Sequence, residues 1–173
     1  EILFTVQEEV GLNGVKNLDY KLQSQYGYVL DGDGPVGTVV NASPSHITLD
    51  IVIEGKAAHA GLAPETGINA IVVASEAIAS IPSGRLDEET TSNFGIINGG
   101  KGRNVVADRV EIRAEVRSRD KEKLERETQK VINRFEETAA KHKAKLNVTK
   151  ELAYEAFTIT PKHPAITNAM KAG

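Results

Sequence analysis

The sequence predicts an α+β fold: a ferredoxin-like β-α-β-β-α-β domain over residues 45–157, inserted into part of an α/β domain made by residues 1–44 and 158–173. Three observations carry this. Two stretches alternate apolar and polar residues with the period of a strand. Two others place apolar residues at helical spacing. Two short apolar runs, each followed by a glycine-rich turn, precede them.

Ile2 to Val6 is an apolar, β-branched run of the kind found in a central parallel strand, and Gly11-Leu12-Asn13-Gly14 breaks it. Val15 to Leu18 fits a helical turn. Tyr26 to Leu30 reads as a second short strand, closed by Asp31-Gly32-Asp33-Gly34-Pro35. In the inserted domain, Ile47, Leu49, Ile51 and Ile53 alternate with His46, Thr48, Asp50, Val52 and Glu54, a half-buried strand. Pro64 and Thr66 open a helix whose Ile68, Ile71, Val72, Ser75 and Ile78 share one face, and Pro82-Ser83-Gly84 ends it. Asn93 to Ile97 is a strand, and Gly99-Gly100-Lys101-Gly102 a loop. Val110, Ile112, Ala114 and Val116 alternate with Glu111, Arg113, Glu115 and Arg117 in another strand. Asp120 can cap a long helix with Leu124, Val131, Ile132, Phe135 and Ala139 facing inward. Leu146, Val148 and Leu152 to Tyr154 make the last strand. Two helices over one face of a four-stranded antiparallel sheet is the ferredoxin-like arrangement.

At 173 residues with 40% hydrophobic content, the chain can bury a real core. It opens in an apolar run without a Met and stops at Met170-Lys171-Ala172-Gly173 in a helix just begun, and so reads as an interior piece of a longer protein. A net charge of −3 gives no electrostatic case for nucleic acid or an anionic membrane. No apolar run is long enough to span a bilayer. With no cysteine and four histidines, any metal must be held by His, Asp or Glu.

Three sites have side chains fit for chemistry. Glu8 and Glu9 follow an apolar run directly. Taken alone they read as a solvated surface pair. At a strand end one could instead ligate a metal while the other takes a proton from metal-bound water. Asp31 also ends an apolar run, where it is either a turn former or a metal ligand. His59 lies among small residues in Gly55-Lys56-Ala57-Ala58-His59-Ala60-Gly61, either a plain loop histidine or a donor to a developing oxyanion.

Four motifs in order resemble one family. They are Phe4-Thr5-Val6-Gln7-Glu8-Glu9-Val10-Gly11-Leu12 with Gly14, Leu30-Asp31-Gly32, Ala58-His59-Ala60-Gly61, and Gly102-Arg103-Asn104-Val105-Val106 with Asp108, followed by Glu115-Val116-Arg117. Together they are similar to the dinuclear zinc metallopeptidases that include peptidase T, carboxypeptidase G and the aminoacylases, with the Asp31 to Pro35 stretch nearer the peptidase T-like tripeptide aminopeptidases. The resemblance implies that residues 45–157 are a lid and dimerisation domain, and that residues 1–44 and 158–173 belong to the catalytic domain. It implies Glu8 as the general base, Glu9 and Asp31 as ligands of two zinc ions (or cobalt or manganese), and His59 as the oxyanion histidine, supplied across a homodimer. Asn104 and Arg117 match positions that bind the substrate's backbone or carboxylate. The implied protein is cytoplasmic and hydrolyses small peptides.

The family's His-x-Asp motif, bridging Asp and C-terminal His have no counterpart here: no histidine precedes His46, and His163 comes too early. The metal site is therefore incomplete in this chain, which is expected to be inactive by itself. Two alternatives stand beside this reading: an N-acyl-amino-acid deacylase of the same family, and a non-catalytic dimerisation or regulatory module.

Overall fold

The computed structural model describes residues 1–9, 12–32 and 34–172, so Val10, Gly11, Asp33 and Gly173 of the motifs and turns above lie outside the described residues. The chain divides into two compact units, one of residues 1–42 with 158–173 and one of residues 43–157.

In the first unit, helix α1 (Asn13–Lys16) makes a single turn, and the backbone N–H of Leu12 donates to the carbonyl of Glu8 at 2.9 Å. Neither strand expected here forms. Ile2 and Phe4 are 87% and 93% exposed, and Val29 and Leu30 are 89% and 98% exposed. An apolar run gains little from extension until a neighbouring strand takes up its backbone groups, and among the described residues none does so.

The chain passes into and out of the second unit at the two-residue strands β1 (Ala42–Ser43) and β7 (Phe157–Thr158). Between them come β2 (Ser45–Glu54), α2 (Ala70–Ala79), β3 (Gly84–Arg85), β4 (Thr90–Gly99), β5 (Arg109–Ser118), α3 (Lys121–His142) and β6 (Lys145–Tyr154). After β7, helix α4 (Pro164–Ala172) belongs to the first unit, where Tyr28 Oη donates to the carbonyl of Ala165 at 2.9 Å and Asn168 Nδ2 donates to Tyr26 Oη at 2.9 Å.

The second unit's sheet runs β3-β4-β5-β2-β6, with each neighbouring pair antiparallel. Set aside the short β3 and this is the ferredoxin-like order predicted above, with the first and third strands of the motif at the centre. Strict alternation builds the core. Ile47, Leu49, Ile51 and Ile53 of β2 are fully buried, and Val110, Ile112 and Val116 of β5 almost so. Leu124, Val131 and Phe135 of α3 pack against them in one cluster. Each such side chain stabilises the fold by about 1.5–3 kcal/mol through burial.

Helix α2 departs from expectation. It starts at Ala70, capped by Asn69, whose side-chain oxygen accepts the N–H of Ile71 at 3.0 Å. Its buried face is Ala70, Val73, Ala74 and Ala77, whereas Ile71 and Val72 are 40% and 50% exposed. The segment is apolar nearly all round, so periodicity alone does not choose a face. Alanines let a helix lie close to a sheet, and that settles which side turns inward. His142 of helix α3 (Lys121–His142) reaches back to this helix: its Nε2 lies 2.7 Å from Glu76 Oε2 of α2. No helix is long and apolar enough to cross a membrane among the described residues.

Candidate functional site

Glu8 and Glu9 lie in irregular, exposed chain, and so does Asp31. Among the described residues no strand delivers them to a sheet end. Among the described residues no three His, Asp or Glu side chains gather into a group able to hold a metal ion. These carboxylates do not by themselves make a metal centre.

The second unit brings two of the expected residues together. At the end of the sheet where β2 finishes and β5 begins, two loops run side by side. The N–H of Ala60 donates to the carbonyl of Asn104 at 2.9 Å, the N–H of Val106 donates to that of Ala58 at 2.9 Å, and His59 bridges to Val105. The pairing is tight because glycines underlie it. A Cβ on Gly67 would stand 2.9 Å from the Ala58 Cβ and 3.0 Å from Val106 Cγ1. A Cβ on Gly55 would stand 2.1 Å from the carbonyl oxygen of Ile68.

His59 is exposed, and its Nδ1 accepts the N–H of Gly61 at 3.1 Å. A neutral ring so engaged carries its proton on Nε2, which leaves one N–H as an outward donor. Asn104 is exposed one loop away, and its side-chain amide has no hydrogen-bond partner among the described residues. Nearby, Lys101 Nζ donates to Asp108 Oδ2 at 2.8 Å and holds that carboxyl below the usual range.

Arg117 is placed elsewhere. It lies near the far end of β5, eight residues beyond Arg109, or about 26 Å along the strand. There Nε and Nη2 donate to Glu115 Oε1 and Oε2 at 3.0 Å each, and Nη1 donates to Tyr154 Oη at 3.3 Å. Across the strands Arg117 sits opposite His46, and His46 opposite Tyr154. The His46 and Tyr154 rings meet edge to face at 5.1 Å. His46 Nε2 is 3.1 Å from Glu115 Oε2, close enough for an ion pair though outside hydrogen-bond geometry. Burial, then the Arg117 charge, lowers the His46 pKa against the opposing pull of Glu115. The hydrogen bonds that Arg117 donates to Glu115 raise its own pKa.

Sequence reasoning missed His46, Glu115 and Tyr154 as members of this group. The Glu115–Arg117 spacing of two was a usable signal, since such residues share a strand face. His46 and Tyr154 join only through strand register.

The sequence profile of a family described as the peptidase dimerisation domain matches residues 41–143. The chain is 44% identical to the uncharacterised protein YqjE of Bacillus subtilis over 173 residues, 99% of this chain and 47% of that one. The structure of aminopeptidase PepT from Bacillus cereus superposes with a TM-score of 0.83 at 43% identity, covering 97% of this chain and 45% of that one. A tripeptidase from Staphylococcus aureus superposes with a TM-score of 0.88 at 37% identity, again over 97% and 45%. The chain thus spans just under half the length of these relatives.

Proposed function

Because the chain belongs to the peptidase dimerisation domain family, we propose that the whole protein is a dimeric, metal-dependent, cytoplasmic aminopeptidase of the peptidase T type, acting on small peptides. Residues 45–157 form its lid and subunit contact, and residues 1–44 with 158–173 belong to its catalytic domain. His59 Nε2 donates to the oxyanion that develops on the scissile carbonyl. Asn104 holds the peptide backbone, and Arg117 pairs with the C-terminal carboxylate. Glu8 takes the proton of the attacking water. Glu9 and Asp31 are each one ligand of a two-zinc centre (or cobalt or manganese) whose other ligands this chain lacks.

The observation that carries this reading is the separation of the loop pair from Arg117 along β5. One small peptide cannot reach both ends of a single ten-residue strand. Two copies remove the difficulty. β3 covers β4 only at Thr91 and Ser92, so the outer edge of β4 from Asn93 onward lacks a strand partner among the described residues. Beside it, Ile71, Val72 and Ile97 are 40%, 50% and 51% exposed. Antiparallel pairing of two such edges about a two-fold axis would bring the loop end of one lid to the Arg117 end of the other.

Mixing inactive variants of the full-length protein tests this. His59→Ala and Arg117→Ala homodimers should each lose most tripeptide hydrolysis. After subunit exchange, activity should return, because one site of each mixed dimer keeps both residues. Failure to complement would place both residues in one subunit and sink the shared site. Turnover of N-acyl amino acids in preference to tripeptides would favour the deacylase instead.

A further inference from the structure

Three arginines stand on the open face of β5, and they differ in their partners. Arg109 is met by two carboxylates, with Glu111 Oε1 at 2.9 Å from Nη2 and Glu54 Oε1 at 3.2 Å from Nη1. All three of its nitrogens donate to these two carboxylates, so its charge is more than balanced within that trio. Arg113 lies 3.8 Å from Asp50, with both side chains largely exposed, and a pair so solvated is weakly ordered. Arg117 is held at three points, by both oxygens of one carboxylate and by a neutral phenol. Of the five N–H donors of a guanidinium, this leaves one on each terminal nitrogen uncommitted. Two donors on adjacent nitrogens match the two oxygens of a carboxylate. His46, kept neutral over a wider pH range by its burial, stands between Arg117 and Tyr154 in the strand register without adding a like charge.

We propose that Glu115 and Tyr154 are positioning residues for substrate recognition: they fix the Arg117 guanidinium so that its free terminal N–H groups are presented, already oriented, to the carboxylate of the bound peptide. The inference rests on the role of Arg117 proposed above. An arginine side chain without these partners must be ordered at the moment of binding, and that entropic cost corresponds to about a tenfold loss of affinity.

The test uses the full-length enzyme with one tripeptide and the same tripeptide as its C-terminal amide. Glu115→Ala should raise KM for the free acid about tenfold with kcat nearly unchanged, and leave KM for the amide as it was. Tyr154→Phe removes one oxygen and should raise KM for the free acid by about two- to fivefold; it serves as the reading if Glu115→Ala does not fold. Glu115→Gln keeps one accepting oxygen beside the guanidinium but puts an NH2 donor in place of the other, and should restore only part of the affinity. Arg117→Ala should abolish the preference of acid over amide. If it leaves that preference intact, the assignment of Arg117 fails, and this proposal with it. If Arg117→Ala abolishes the preference while Glu115→Ala and Tyr154→Phe leave both KM values unchanged, the positioning role alone is overturned.

Discussion

Gly55 should be required for space, and replacing it with alanine tests the loop pairing directly. Gly55 has no left-handed backbone angle, so the added methyl brings no conformational strain of that kind. The methyl would, however, stand 2.1 Å from the Ile68 carbonyl oxygen and 3.2 Å from the Ala70 nitrogen. Non-bonded heavy atoms settle at about 3.5 Å, so the two strands of chain must part by an ångström or more. That movement breaks the reciprocal hydrogen bonds between Lys56 and Ile68, each 2.9 Å long. At about 0.5–1.5 kcal/mol net for each bond, Gly55→Ala should cost about 1–3 kcal/mol. Urea unfolding of this chain followed by far-UV circular dichroism measures the loss. Gly27→Ala, where nothing lies within 4 Å of the new methyl, is the matched control. In NMR spectra of the variant, the amides of Ala58 to Ala60 and Asn104 to Val106 should shift together. A Gly55→Ala protein as stable as the parent, with those amides unmoved, would refute the close approach and the coupled loops.

Removal of the fully buried Phe135, whose ring centroid lies 6.1 Å from that of Phe94, by Phe135→Ala should cost about 3–5 kcal/mol and bring the thermal midpoint down steeply. Asp120 Oδ1 accepts the N–H of Lys123 at 2.9 Å, so Asp120→Ala should lower stability by about 1 kcal/mol in urea titrations, while Asp120→Asn should stay near the parent. The Asp87 carboxyl is held at about 2 against an ordinary 3.8, first by the backbone N–H of Glu89 and then by Thr90 and Lys123. Because the folded value is the lower one, its contribution is complete above pH 3.8 and disappears as the pH falls through about 2. Stability of Asp87→Asn measured against pH should therefore converge with the parent at the acid end and fall below it near neutrality.

The inserted unit was readable because its strands declare themselves locally. The alternation from Ile47 to Ile53 and from Val110 to Val116 gives both the strand and its inner face, and Asp120 followed by Leu124, Val131 and Phe135 gives α3. α2 was harder, since a helix of Ala, Ile and Val offers two apolar faces and only the closeness of the sheet selects the alanines. In the first unit an apolar sequence is not sufficient for a strand, as Ile2 to Val6 and Tyr26 to Leu30 demonstrate. The motifs name His59 and Asn104 one by one. That they face each other across paired loops, 45 positions apart in the chain, depends on long-range hydrogen bonds that no local pattern encodes. The row of Arg117, His46 and Tyr154 depends likewise on register across three strands.

β5 also acts as a ruler. It sets the distance from the Asn104 loop to Arg117, and it can be lengthened or shortened only in double steps. One inserted residue between Ile112 and Val116 would turn either Val110 and Ile112 outward, or Val116 outward and Arg117 into the core, because neighbouring side chains point to opposite faces. Two inserted residues keep the faces and move Arg117 by about 6.6 Å, close to the span of two peptide units. The reach between these two groups is therefore quantised, and graded adjustment of it must come from the loops at the ends of the sheet.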